Sequence, residues 1–145
     1  MIIYVDSREQ LPILPGERKT LNVGDYTTKI LHGKFHIERK SLQDLYGTLT
    51  KGNPRFKYEL FRAAYHHIHI EVHVEGTLDD FINKRFPKGN ERKFPSDGLE
   101  KLISTFTKKY FLVFHFHKNR SAARKAIATR LQEAEKSLKS GKFRA

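Results

Sequence analysis

Cysteine and tryptophan are absent from this chain, and methionine occurs once. Without thiols it can form neither a disulfide nor a thiolate metal site, which fits a reducing interior. No apolar run approaches the roughly 20 residues that a bilayer span needs. The opening stretch Met1–Glu9 is far too short for a signal h-region and lacks a basic n-region. The expectation is an intracellular protein, not secreted and not bound to a membrane. Acidic residues are scarce as well: 16 Asp and Glu stand against 28 Lys and Arg, a net charge of +12 over 145 residues. Such an excess attracts polyanions, nucleic acid the commonest among them. The length fits one domain able to bury a core unaided, read as residues 1–140 with 141–145 a flexible tail.

What is present reads as alternating strands and helices. Ile2–Val5 is a short apolar run of β-branched and aromatic type, a buried strand ending at Asp6. Residues 7–20 carry Pro12, Pro15 and Gly16 and read as a loop. Leu21–Leu31 and Phe35–Lys40 flank His32-Gly33 as a hairpin. Ser41 caps a helix through Leu42, Leu45 and Leu49. Asn53, as N-cap ahead of Pro54, starts a second helix with Phe56, Leu60 and Ala64 on one face. His67–Glu75 alternates strictly, with Ile68, Ile70, Val72 and Val74 on its apolar side. Thr77 opens a short helix, and Ser96 a longer one carrying Leu99, Leu102, Ile103 and Phe106. A strand over Phe111–Phe114 and a helix over about 119–139, with its stripe Ala123, Ile127, Leu131, Ala134 and Leu138, complete the chain. The order implies an α/β fold, a mixed central sheet flanked by helices.

The hairpin carries the chemistry. A turn at His32-Gly33 sets Asp25 opposite Lys40 and Thr27 opposite Glu38, so alternation brings Asp25, Glu38 and Lys40 to one face. Two adjacent carboxylates repel unless a proton or a cation lies between them. An oxygen-only ligand set suits Mg²⁺ or Mn²⁺, which can bind a phosphate oxygen and acidify a water. Lys40 can orient that water or offset charge on the phosphate. On spacing alone, an ordinary charged surface hairpin remains the plainer reading.

Three motifs go further: Val5-Asp6-Ser7-Arg8-Glu9, Gly24-Asp25, and Glu38-Arg39-Lys40 with Asp44 four residues on. In order and internal spacing they resemble the nuclease domain of XPF-type structure-specific endonucleases, within the PD-(D/E)XK, restriction-endonuclease-like superfamily. The resemblance runs to about residue 135 and implies a divalent-metal-dependent DNA endonuclease acting on branched or flapped DNA. It implies Asp25 and Glu38 as Mg²⁺ ligands, Mn²⁺ substituting, with the Arg39 backbone carbonyl completing the set. Lys40 becomes the catalytic lysine, while Asp6, Asp44 and Glu9 become supporting acidic residues and Arg8 a DNA contact. One position departs from the pattern: the family shows Arg followed four residues later by Gln, whereas here Arg55 is followed by Glu59. The tandem helix-hairpin-helix segment usual in the family has no counterpart in these residues, which leaves junction and flap preference open. The alternatives are an inactive nucleic-acid-binding module, or a partner subunit in a homodimer or a paired nuclease-fold assembly.

Two features compete with that site. Lys51, Arg55 and Lys57 lie just beyond it and are the better candidates for phosphate contacts, while Lys84, Arg85, Lys88, Arg92 and Lys93 form a basic loop that either grips backbone phosphates or is merely solvated. There Phe86 and Phe94 either stack on an unpaired base or tuck into the core. His67, His69 and His73 share one strand face, and His115 and His117 share another. Zinc is conceivable if those strands are neighbours, against a plainer half-polar face of hydrogen-bonded histidines.

Overall fold

The structure is a computed structural model that describes residues 1–86 and 96–142. Six strands form one mixed sheet: β1 (Ile3–Asp6), β2 (Glu17–Lys19), β3 (Tyr26–Thr28), β4 (Phe35–Lys40), β5 (His69–Val74) and β6 (Val113–Phe116). Their order is β2-β1-β3-β4-β5-β6. β3 runs antiparallel to β1 and β4, and the pairs β1–β2, β4–β5 and β5–β6 are parallel. The helices are α1 (Leu42–Leu49), α2 (Asn53–Tyr65), α3 (Leu78–Ile82), α4 (Ser96–Tyr110) and α5 (Arg120–Lys139). This is the expected α/β architecture.

Two apolar layers hold it. Leu42, Leu45, Leu49, Phe56, Leu60, Phe81, Leu99 and Phe106 from α1–α4 pack on Ile70, Val72 and Val74. On the opposite face the α5 stripe Ala123, Ile127, Leu131 and Ala134 covers Val5, Tyr26, Phe35 and Ile37. Each Leu, Ile or Phe so buried contributes about 1.5–3 kcal/mol. Capping fixes where the helices begin. Ser41 Oγ accepts the Asp44 N–H at 3.1 Å, Thr77 Oγ1 the Asp80 N–H at 3.0 Å, and Asn119 Oδ1 the Ala122 N–H at 2.9 Å.

Several local expectations fail. Residues 7–20 contain β2, which the prolines and Gly16 hide in the sequence; it adds to β1 as an exposed edge. The Leu21–Leu31 strand shrinks to Tyr26–Thr28, because the Leu21 N–H leaves the ladder for Asp6 Oδ1 at 2.9 Å. Beyond Thr28 the chain coils so that Leu31 enters the core, and the connection spans residues 29–34 rather than a tight turn. Tyr26 therefore pairs with Ile37. That register lies two residues from the expected one, and a shift of two preserves the face each side chain occupies. Asn53 is the first residue of α2 rather than its cap, and the N-cap Gly52 offers no side chain. The second apolar run strands at Val113–Phe116 rather than Phe111–Phe114, since Phe111 adopts a positive φ of 54°. On the polar side of β5, Glu71 and His73 are buried.

Candidate active site

The candidate site lies where β3 and β4 meet, at the end of the sheet from which α1 leaves. Gly24 makes the approach possible. Its φ is +76°, and a Cβ there would meet His36 Cβ at 3.1 Å and the Ile37 carbonyl oxygen at 3.2 Å. His36 braces this turn as a neutral ring: Nε2 accepts the Gly33 N–H at 2.9 Å, so Nδ1–H donates to the Val23 carbonyl at 2.7 Å. Burial holds its pKa low, which keeps that tautomer in place. Gly24→Ala is expected to cost about 1–3 kcal/mol in chemical denaturation, since αL strain and backbone crowding add.

The turn delivers Asp25 to the edge of β4. Its N–H donates to the Ile37 carbonyl at 2.8 Å, and its Oδ2 accepts the Arg39 N–H at 2.8 Å. Its carboxyl group meets that of Glu38, which is buried. Burial raises the Asp25 pKa to about 6, against the opposing effects of the Glu38 hydrogen bond and the Arg39 N–H. Glu38 is pushed well above the carboxylate range, by burial first and then by the charges of Asp25 and Glu59. Lys40 Nζ stands 3.9 Å from Glu38 Oε1. Asp25, Glu38 and Lys40 thus converge.

The supporting acidic residues are placed differently. Asp6 is buried, and both of its oxygens are taken by Arg8 and the Leu21 N–H. Burial alone would raise its pKa, but those donors hold it below the usual value. Its place is to tie residues 7–21 to β1. Glu9 Oε2 accepts from the Tyr26 hydroxyl at 2.8 Å and from Arg39 Nη1 at 3.0 Å. Arg39 also donates Nε to Glu75 at 3.0 Å, and Glu75 pairs with Arg120 at 3.3 Å. This Glu9–Arg39–Glu75–Arg120 chain sits behind the β4 strand that carries Glu38 and Lys40. Asp44 is exposed on the first turn of α1 and, with Lys40 and Arg55, lines a cavity of about 370 Å³ between α1 and α2.

The cationic residues scatter. Arg55 borders that cavity, whereas Lys51 and Lys57 are exposed beyond it. Arg8 donates to Asp6 and to the Leu21 carbonyl. Arg85 is engaged by Asp79 and Asp80 of α3, and Lys84 precedes it. Lys88, Arg92, Lys93 and Phe94 lie outside the described residues. Phe86 belongs to the core, against Phe81 and Tyr46, and does not offer its ring to a base.

Motif reasoning gave Glu59 no role, yet it approaches Glu38 from α2 and hydrogen-bonds to it. The Arg55-to-Glu59 spacing was the available signal. Three carboxylates with one lysine form an oxygen-only donor set. The raised pKa values of Asp25 and Glu38 mean that burial keeps protons where a hard divalent cation could sit. Carboxylate oxygens of this kind suit a hard cation such as Mg²⁺ or Mn²⁺.

Residues 5–133 match the family model described as the ERCC4 domain. Two solved structures of XPF from Aeropyrum pernix are similar in fold. The first has a TM-score of 0.71 at 19% identity, covering 97% of this chain and 68% of that one. The second, described as a complex with DNA, has a TM-score of 0.69 at 20% identity, with 92% and 64% covered. This chain therefore spans about two thirds of their length. No curated protein sequence matches it.

Proposed function

This chain belongs to the ERCC4 domain family, and on that premise we propose that it is a divalent-metal-dependent DNA endonuclease. It hydrolyses phosphodiester bonds in branched or flapped DNA, the intermediates of repair and recombination. The observation that carries the reading is the Asp25–Glu38 carboxyl pair, buried together with raised pKa values and with Lys40 at its rim.

Asp25 and Glu38 would hold Mg²⁺ together with the Arg39 carbonyl, and Mn²⁺ could substitute. When bound, the ion acts as a Lewis acid on the phosphate and lowers the pKa of water. Arg39 N–H, donating to Asp25 Oδ2, fixes that carboxylate and prepares it for ligation. Lys40 orients the attacking water and offsets charge building on the phosphate. Lys51, Arg55 and Lys57 meet DNA phosphates beyond the site, and the +12 net charge draws the polyanion in.

The test is a cleavage panel of duplex, flap, fork and four-way DNA with Mg²⁺, Mn²⁺ or EDTA at several salt concentrations. Metal-dependent cleavage that prefers the branched substrates is expected. DNA binding without cleavage under any metal would instead identify an inactive binding module.

A paired assembly is the second reading, favoured by a separate apolar surface. Phe61 is 68% exposed and Phe111 84% exposed. Both line a cavity of about 580 Å³ beside the start of β5, at the end of the sheet away from Lys40. A second copy or a related nuclease-fold subunit would cover these rings, and sedimentation velocity separates monomer from dimer.

A further inference from the structure

A second cluster of ligating side chains lies where β5 meets β6. The two strands run parallel with His73 beside His115, so alternation brings Glu71, His73, His115 and His117 to the sheet face beneath α5. Elsewhere on that face α5 covers Val5, Tyr26, Phe35 and Ile37. A polar group in such a place costs desolvation that apolar packing avoids, and a half-satisfied one costs more.

We propose that Glu71, His73 and His115 form a second metal site, separate from the Asp25–Glu38 pair, that takes zinc or a similar borderline divalent ion. The donor atoms are already gathered. Glu71 Oε1 lies 3.3 Å from His73 Nε2 and 3.5 Å from His115 Nε2, and a ligand atom from each residue lies within 4.8 Å of the others. Ligands at about 2.0–2.1 Å from a tetrahedral zinc stand roughly 3.3–3.4 Å apart, so two of the three edges have that length before any ion enters. Two imidazoles and one carboxylate are also a recurrent donor set for zinc and other first-row metals.

The surroundings suit the same reading. Arg130 of α5 grips Glu71, with Nε at 2.8 Å and Nη2 at 2.7 Å from Oε2 and Nε also 3.0 Å from Oε1, which fixes the carboxylate between the arginine and the histidines. Outer partners of this kind orient metal-binding carboxylates. His73 Nδ1 lies 2.9 Å from His117 Nε2, and when His73 Nδ1–H is the donor there, His73 Nε2 is left bare against Glu71 Oε1. In that tautomer the two lone pairs, 3.3 Å apart, repel until a proton or a metal ion lies between them. His115 Nε2 is buried and makes no hydrogen bond of good geometry. A cavity of about 450 Å³ that His117 and Glu133 also line leaves room for a fourth ligand. The opposite tautomer, with His73 Nε2–H donating to Glu71, satisfies His73 without metal and is the competing state. Imidazole here and oxygen alone at Asp25–Glu38 would sort the two ions by softness. The bound ion would clasp the edge strand β6 to β5.

The experiment uses the full chain stripped of metal, titrated with Zn²⁺ by calorimetry and with Co²⁺ by visible absorption. One zinc per chain is expected, with affinity reduced about tenfold or more in His115→Ala and Glu71→Gln. Asp25→Asn should bind zinc as the wild type does, and excess Mg²⁺ should not displace it. Zinc at one concentration should raise the melting temperature of the wild type more than that of His115→Ala. His115 is half-exposed, so that variant still reads the site if Glu71→Gln fails to fold. The proposal fails if no saturable zinc binding occurs, if binding survives both variants undiminished, or if Asp25→Asn removes it.

Discussion

Lys40→Ala is expected to slow cleavage by two to three orders of magnitude, while its circular dichroism and melting temperature stay close to wild type. The size follows from removing one preorganised charge aimed at a developing oxyanion, typically worth about 10²–10³ in rate. The intact fold follows from the geometry. Lys40 is the last residue of β4, half-exposed, and its ammonium makes one loose ion pair at 3.9 Å. Such a pair contributes about 1 kcal/mol or less to stability. Asp25→Ala should reduce cleavage to background, since it removes a ligand rather than an auxiliary charge. A set of single-turnover rates with Mn²⁺, alongside DNA-binding constants, separates chemistry from affinity. If either variant cuts at the wild-type rate, the residue roles proposed here are wrong.

The fold was largely legible because its signals are local. Apolar spacing marked α1, α4 and α5, and strict alternation marked β5. What stayed hidden depended on contacts distant in sequence. β2 has no apolar residue, and only its parallel pairing with Tyr4–Asp6 makes it a strand. The hairpin register was misread because Leu31 turns into the core, a packing choice that no turn motif signals. The site survived that error because a two-residue shift keeps parity. Asp25, Glu38 and Lys40 were visible as motif residues, whereas Glu59 was visible only as a departure from the expected Gln. A helix surface carboxylate becomes a site residue when α2 lays it against β4. For Asp6 and Glu9, the motif marked positions whose carboxylates hold Arg8, Tyr26 and Arg39 in place.

Without metal, Asp25→Asn is expected to be more stable than wild type, and increasingly so as pH rises. The Asp25 pKa is raised from 3.8 to about 6. A group raised in this way stabilises the fold fully below its unfolded pKa and loses that contribution as pH climbs through the folded one. Asn mimics the protonated state at every pH and keeps an oxygen for the Arg39 N–H. The stability difference should therefore be small at about pH 4, open mostly between about pH 4 and 6, and reach on the order of 3 kcal/mol by about pH 8. Glu38 is raised further, so wild type keeps losing ground above the Asp25 midpoint. Saturating Mn²⁺ should close the gap by binding wild type and not the variant. Glu59→Gln offers an internal control. Removing that charge lets Glu38 ionise at lower pH, so part of the lost stability returns with both ligands intact. Denaturation curves in EDTA and in Mn²⁺ across this range measure all three proteins. A gap that stays flat with pH would mean that the carboxyl pair carries no strain, and that binding a cation relieves none.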